Sequence, residues 1–204
     1  MVKKGLPIVI SAPSGTGKGT VIPYVIKELE NAVFSVSCTT REPRAGETDG
    51  KSYYFITRDE FEKKIAAGDM LEYNEYVGNL YGTPRREVEE KLNFGTDVIF
   101  DVDVNGGMNV KSSLPDAVLI MLMPPDAKTL RGRLHSRGTD SEDVINKRLG
   151  MALKEIEFFP RYEYFVVNED GKAEEAAKKI LGIIEAEKRK TVRFPDFIKE
   201  FKNI

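Results

Sequence analysis

Residues 8–20 read Ile8-Val9-Ile10-Ser11-Ala12-Pro13-Ser14-Gly15-Thr16-Gly17-Lys18-Gly19-Thr20. An apolar run, a glycine-bearing turn, a lysine and a helical pattern follow one another, the order of a phosphate-binding loop. Glycines let successive backbone N–H groups turn inward around a phosphate, and the start of the following helix adds partial positive charge. Lys18 brings a full charge to the β/γ-phosphate position. The strict G-x-x-x-x-G-K-[ST] pattern fails twice, with Ala12 for the first glycine and Gly19 for the hydroxyl after the lysine. Thr20 restores a hydroxyl one place later, which leaves the ligands of any phosphate-bound Mg²⁺ unassigned.

Outward from this loop, short apolar runs alternate with helical patterns. Strands are predicted at Pro7–Ser11, Val33–Val36, Asp97–Val102, Ala117–Met123 and Tyr164–Val167. Each has few charges, as expected of strands buried on both faces of a parallel sheet. Helices are predicted at Lys18–Glu30, Arg85–Leu92 and Ala173–Lys190, the last with an apolar stripe of Ala176, Ala177, Ile180, Leu181 and Ile184. Such alternation predicts an α/β fold.

Two regions break the pattern. Residues 38–84 hold a polar run, Tyr53-Tyr54-Phe55-Ile56, Met70–Val77 and a Gly78-Asn79 turn, which predicts an inserted β-rich lobe with one short helix near Asp59–Ala67. In residues 126–160, Asp126 is placed to cap a helix carrying Arg133 and Arg137. Thr139 and Glu142 have the spacing of a capping box, ahead of a helix with Ile145, Leu149, Ala152, Leu153 and Ile156 on one side and Arg148 at its edge. The segment Arg193–Ile204 carries Phe194, Phe197, Ile198 and Phe201 and is expected to pack, on this chain or on a second copy.

The 204 residues are 41% hydrophobic, enough for a substantial core with inserted lobes. Their 31 basic and 33 acidic side chains leave a net charge of −2, which argues against binding nucleic acid or a membrane face by charge. One Cys excludes an internal disulfide and a multi-Cys zinc site, and a single His argues against a Ser-His-Asp triad. Lys3 and Lys4 precede the apolar run Leu6–Ile10, but that run falls short of the roughly 7–15 residues of a signal h-region. No stretch nears the roughly 18 apolar residues of a membrane span. A soluble, cytoplasmic protein is expected.

Residues 35–47 read Ser35-Val36-Ser37-Cys38-Thr39-Thr40-Arg41-Glu42-Pro43-Arg44-Ala45-Gly46-Glu47. With the loop and Gly50-Lys51-Ser52-Tyr53-Tyr54-Phe55, this string resembles the guanylate kinases, which move a phosphoryl group from ATP to GMP. The resemblance continues through Glu72, Gly78–Thr83, Asp101-Val102-Asp103, Arg137-Gly138-Thr139, Ile145–Leu149 and Val166–Asp170, and covers about residues 5–187. It implies a P-loop nucleoside monophosphate kinase fold with a parallel five-stranded core sheet flanked by helices. The core would take about residues 1–36, 85–125 and 159–190, a GMP-binding lobe about 37–84, a helical lid about 126–158, and a C-terminal extension about 191–204.

The residues themselves suit that chemistry. Arg41 and Arg44 flank Pro43, and two guanidinium forks close together suit a phosphate dianion. The resemblance adds Tyr53 and Tyr81 on the same phosphate. Guanine needs acceptors for N1–H and N2–H₂ and a donor for O6. By resemblance Glu72 and Asp101 read the base, with Ser37 and Thr83 as the hydroxyls. Asp101 and Asp103 follow an apolar strand at alternate positions and can share a face. Asp103 would support the base or the water shell of Mg²⁺.

For ATP, the resemblance implies Ala12, Pro13, Ser14, Gly15, Thr16, Gly17, Lys18, Gly19 and Thr20 around the phosphates. It adds Arg133 and Asn168 near adenine or ribose, and Arg137 and Arg148 closing over the phosphates. Phosphoryl transfer needs in-line placement and positive charge, which Lys18, Arg41, Arg137 and Arg148 would supply. A phosphate oxygen of GMP is its own nucleophile, so the scarcity of His fits. Closure of two lobes would keep water out. Mg²⁺ is implied as cofactor, nucleic acid and membrane are not, and monomer and homodimer stay open. His135 is expected to be an exposed lid residue and Cys38 a buried spectator.

Three rival readings are weaker. A peptide-binding scaffold domain that has lost catalysis would have a degraded loop, whereas Gly17-Lys18, Arg41, Arg137 and Arg148 are all present. A GTPase would want Asn-Lys-x-Asp, and Asn146-Lys147-Arg148-Leu149 lacks the Asp. A kinase for another monophosphate shares the Gly-x-Gly-Lys-Gly-Thr loop, but Glu72, Asp101 and the Ser37–Arg44 string speak against it.

Overall fold

The computed structural model describes residues 4–76, 78–135 and 141–202. Strand β1 (Pro7–Ser11) is buried along its whole length and leads through the loop into α1 (Lys18–Glu28). Then come β2 (Ala32–Phe34), β3 (Cys38–Thr39), β4 (Tyr54–Phe55), α2 (Arg58–Ala66), β5 (Met70–Tyr76) and β6 (Asn79–Pro84). Next are α3 (Arg85–Asn93), β7 (Asp97–Asp101), α4 (Val104–Ser113), β8 (Val118–Met123), α5 (Ala127–His135) and α6 (Glu142–Ile156). The chain closes with β9 (Tyr164–Val167), α7 (Ala173–Lys188) and α8 (Phe197–Lys202).

Strands β2-β7-β1-β8-β9 form one sheet, parallel at every junction. Side chains alternate across it with the two-residue period of a strand. Ile8, Ile10, Ile99, Ile120 and Leu122 join α1 and α7 in one core, while Val9, Val98, Phe100 and Leu119 join α3 and α4 in the other. Each such side chain contributes roughly 1.5–3 kcal/mol when fully buried. Ile10 lies opposite Asp101, so the register sets the phosphate loop beside the end of β7.

A second sheet, β4-β3-β6-β5, pairs β5 and β6 antiparallel and closes over Cys38, Phe61, Met70 and Leu80. Thr57 and Glu60 make a reciprocal capping box that starts α2.

Several expectations need correction. β2 and β9 lie at the sheet edges and are not buried on both faces, with Phe34 40% and Phe165 56% exposed. Helix α4 follows β7 directly, although its Gly106 and Gly107 argue against a helix. Asp103 caps it, accepting from the Gly106 N–H at 2.7 Å. Asp126 accepts from the Thr129 N–H (2.7 Å) and caps α5 as expected. The cap of α6, however, is Ser141, two residues past Thr139, which lies outside the described residues. On α6, Ile145 and Ala152 are buried, whereas Leu153 is exposed. Of the two surfaces expected to take the C-terminal segment, this chain leaves its aromatic rings largely uncovered. Phe194, Phe197 and Phe201 contact one another and stay largely exposed, and Arg193 donates to the Lys4 carbonyl (2.7 Å).

Candidate active site

The phosphate loop turns on Gly15 and Gly17, both in the left-handed region (φ 91° and 92°) that side chains rarely adopt. A Cβ on Gly17 would also stand 2.7 Å from the Asn168 amide. Buried Asn168 donates to the Thr16 carbonyl at 2.8 Å. Arg133 of α5 donates to the same carbonyl (2.8 Å) and to the Asn168 carbonyl (2.8 Å), and pairs with Asp170. These two residues therefore brace the carbonyl side of the loop. A cleft of about 380 Å³ is lined by residues 12–20 together with Asp103 and Glu155.

Two residues of α6 meet the loop at Ser14. Glu155 accepts from the Ser14 N–H (3.0 Å), and Arg148 reaches the Ser14 hydroxyl at 3.4 Å. Burial holds the Glu155 carboxyl above its ordinary range. Arg137 lies outside the described residues. Lys18 points to the end of β7, where its ammonium meets the Asp101 carboxylate at 2.7 Å and the Val102 carbonyl at 2.7 Å.

Beyond β7 a second cleft of about 330 Å³ opens towards the smaller sheet. One end holds the arginine turn. Arg41 forms a fork on Glu47 (2.8 and 3.0 Å), which also accepts from the Arg44 N–H at 2.8 Å. The Arg41 guanidinium sits 5.6 Å from the Tyr53 ring centre, and Tyr53 meets Tyr81 edge-on at 6.0 Å. The Glu47 carboxyl is held below its ordinary range by the Arg41 fork, and burial pushes the Tyr53 phenol up.

The other end is acidic. Glu72 on β5 is buried and accepts from the Thr83 hydroxyl of the facing strand β6 at 2.7 Å. Burial raises its pKa to about 7; the Thr83 bond opposes the rise, and nearby Asp103 adds to it. Asp101, Asp103 and Ser37 line the same cleft. A cationic end and an acidic end in one cleft suit a ligand with a phosphate at one end and N–H donors at the other.

The structure thus brings Ser37, Arg41, Arg44, Tyr53, Glu72, Tyr81, Asp101 and Asp103 around one cleft, with Thr83 behind Glu72. It also adds residues that the sequence reading missed. Glu47 had a signal, a carboxylate three and six places from the two arginines. Asn74 had one too, two places along β5 from Glu72. Glu155, 141 residues from its loop partner, had none.

A family model described as Guanylate kinase matches residues 4–187. The guanylate kinase of Lactococcus lactis subsp. lactis is 52% identical over 187 residues, 92% of this chain and 90% of that protein. That of Lactobacillus delbrueckii subsp. bulgaricus is 51% identical over 92% of this chain and 91% of its own length. A crystal structure of guanylate kinase from Anaplasma phagocytophilum superposes with a TM-score of 0.80 at 34% identity, covering 100% of this chain and 97% of that one. Similarity of this extent spans both clefts and the sheet that joins them, and it identifies the chain as a member of the guanylate kinase family.

Proposed function

We propose that this guanylate kinase transfers the γ-phosphoryl group of ATP to GMP, with Mg²⁺, through the two clefts on either side of the end of β7. The observation that carries the site assignment is the buried Glu72 carboxylate facing Asp101 and Asp103 in the same cleft as the Arg41–Arg44 turn. In this reading the GMP phosphate takes the place of Glu47 between Arg41 and Arg44, with the Tyr53 and Tyr81 phenols beside it. Glu72 and Asp101 accept from guanine N1–H and N2–H₂. Adenine has no such donors, so its entry would leave buried acceptors unpaired, at about 1–3 kcal/mol each.

ATP phosphates enter the loop cleft. Lys18 exchanges Asp101 for phosphate oxygen, Glu155 yields the Ser14 N–H, and Arg148, already at Ser14, adds charge, as does Arg137. Arg133 and Asn168 act from behind the loop. The attacking group is a phosphate oxygen of GMP, so the chain's work is alignment and charge stabilisation. Mg²⁺ fits the loop cleft, where the carboxylates of Asp103 and Glu155 and the Thr20 hydroxyl are hard oxygen donors beside the phosphate seat. When bound it would neutralise charge on the transferred group. Among the described residues no three acidic, His or Cys side chains form a dedicated metal cluster, as suits an ion held largely by phosphates and water.

Residues of about 37–84 act as the GMP-binding lobe and about 126–158 as the lid, on a core of about 1–36, 85–125 and 159–190. No helix among the described residues is long and apolar enough to cross a membrane; action in the cytoplasm is part of the proposal. A coupled assay for ADP with GMP, AMP, CMP and UMP as acceptors tests the reading. GMP is expected to be preferred by orders of magnitude, and equal rates with AMP would overturn it.

A further inference from the structure

Helix α8 has no buried residue. A helix this short is marginal in water by itself, because most helical stability in proteins comes from packing an apolar face. Such a face is present. Phe197 stacks on Phe201 and meets Phe194 edge-on. Phe194, Phe197, Ile198 and Phe201 are 36%, 55%, 61% and 76% exposed. A Phe side chain offers about 200 Å², so these four residues leave roughly 400 Å² of apolar surface in water. A contiguous patch of that size marks an interaction surface.

The surrounding charges decide what fits over it. Residues 188–202 carry six cations and two carboxylates, a balance that by itself would suit an anionic lipid surface. Four of those cations are spent within the chain: Lys188 pairs with Asp97, Arg189 with Glu185, Lys190 with Glu187 and Lys199 with Asp196. Arg193 is turned to the Lys4 carbonyl. Glu200 and Lys202 remain, one of each sign, with no ion pair to another described residue. A face with one unspent charge of each sign complements itself. About a two-fold axis at Phe201, Glu200 of each copy faces Lys202 of the other, with the rings between them.

We propose that two copies of this chain pair through α8, each burying Phe194, Phe197, Ile198 and Phe201 against the same residues of the other. The area suffices. Two copies withdraw roughly 800 Å² of apolar surface, and interfaces are about 60% apolar, so the whole contact buries about 1,300 Å². Stable, specific interfaces start at about 1,200 Å². The segment carrying α8 is anchored at Lys4, ahead of β1, whereas both clefts open at the other end of the sheet. Turnover per chain is therefore independent of the pairing.

Size-exclusion chromatography with light scattering on the full chain, from about 1 to 100 μM, tests this. The expected mass at the upper end is twice the 22.9 kDa of one chain. Phe197→Asp with Phe201→Asp should give a monomer at every concentration, with unchanged turnover and circular dichroism. Glu200→Lys and Lys202→Glu should each weaken pairing about tenfold by setting like charges across the axis, and the two together should restore it. A wild-type chain that stays monomeric, or a Phe variant that still dimerises, would overturn the proposal. Failure of the double charge swap to restore pairing would overturn the two-fold arrangement. A monomer that sediments with phosphatidylglycerol vesicles would assign the face to lipid instead.

Discussion

Glu72→Gln separates what the site needs from what the fold prefers. The carboxyl is buried, and burial raises its pKa to about 7 from an ordinary 4.5. Between those two values the folded chain holds a proton that the unfolded chain releases. Stability from this group is therefore full below about pH 4.5 and is lost as pH rises through about 7. The difference of roughly 2.5 pKa units corresponds to on the order of 3 kcal/mol against the native state at pH 8. Glutamine stays neutral and keeps an oxygen to accept from Thr83. The variant should thus melt about 6–12 °C above the wild type at pH 8, and only slightly above it at pH 5. A gain that is equal at both pH values, or absent at pH 8, would refute the burial argument.

The same substitution should damage GMP binding. The glutamine NH₂ would oppose the donors of guanine, and a charge-assisted bond worth about 1.5–3 kcal/mol disappears. The expected result is a rise of roughly 10- to 100-fold in the KM for GMP with little change for ATP. In the wild type only about a tenth of the carboxyl is ionised at pH 6, so apparent GMP affinity should fall about tenfold there from its value well above pH 7. The GMP phosphate also gains a proton near pH 6, and the Gln variant reports that loss alone. Parallel pH profiles for the two proteins would show that Glu72 is not the titrating group.

Lys18→Ala should cut turnover at least about 100-fold while far-UV circular dichroism and melting temperature hold, and near-normal turnover would remove Lys18 from the chemistry. Gly82→Ala should destabilise the smaller sheet by about 1–3 kcal/mol, because a Cβ there would stand 2.8 Å from the Glu72 carbonyl and 2.9 Å from Phe61. Denaturant unfolding checks this, and an unchanged midpoint would mean that β5 and β6 separate freely. Cys38 is buried and its thiol is pushed up to about 11, so iodoacetamide should leave the native protein unlabelled at pH 8 and label it in denaturant. Rapid native labelling would show that the smaller sheet opens.

The central sheet was legible in the sequence because its inner strands answer to one rule. Pro7–Ser11 and residues 97–100 are uninterrupted by outward-facing positions, as strands covered on both faces must be. β9 passed the same test on composition yet lies at an edge, because four apolar residues do not reveal which neighbour is missing. Helix α4 was hidden for the opposite reason. Its Gly106, Gly107 and Asn109 lower helix propensity, but at Gly107 a Cβ would stand 2.9 Å from Ser11 Oγ and 2.9 Å from Tyr162 Oη. Close packing on β1 overrides propensity there. The aromatic pattern at Phe194–Phe201 suggested burial on this chain or on a second copy, and on this chain the rings contact one another and stay largely exposed, so the pattern does not say which surface would cover them.

In the candidate site the kinds of residue were legible, while their partners were not. Three of the groups expected to hold phosphate here hold a protein carboxylate instead: Lys18 holds Asp101, Arg41 with the Arg44 N–H holds Glu47, and the Ser14 N–H holds Glu155. Two of these pairs join residues 83 and 141 positions apart, so no local pattern announces them. Partly exposed pairs of this kind contribute about 0–1 kcal/mol. They keep the donors aimed at anion positions at little cost to displacement, and a phosphate carrying up to two charges competes well against one carboxylate. Asp101 serves both sides of this exchange. It neutralises Lys18 in the structure and is expected to accept from guanine. Filling either cleft therefore removes one half of the ion pair that lies between them.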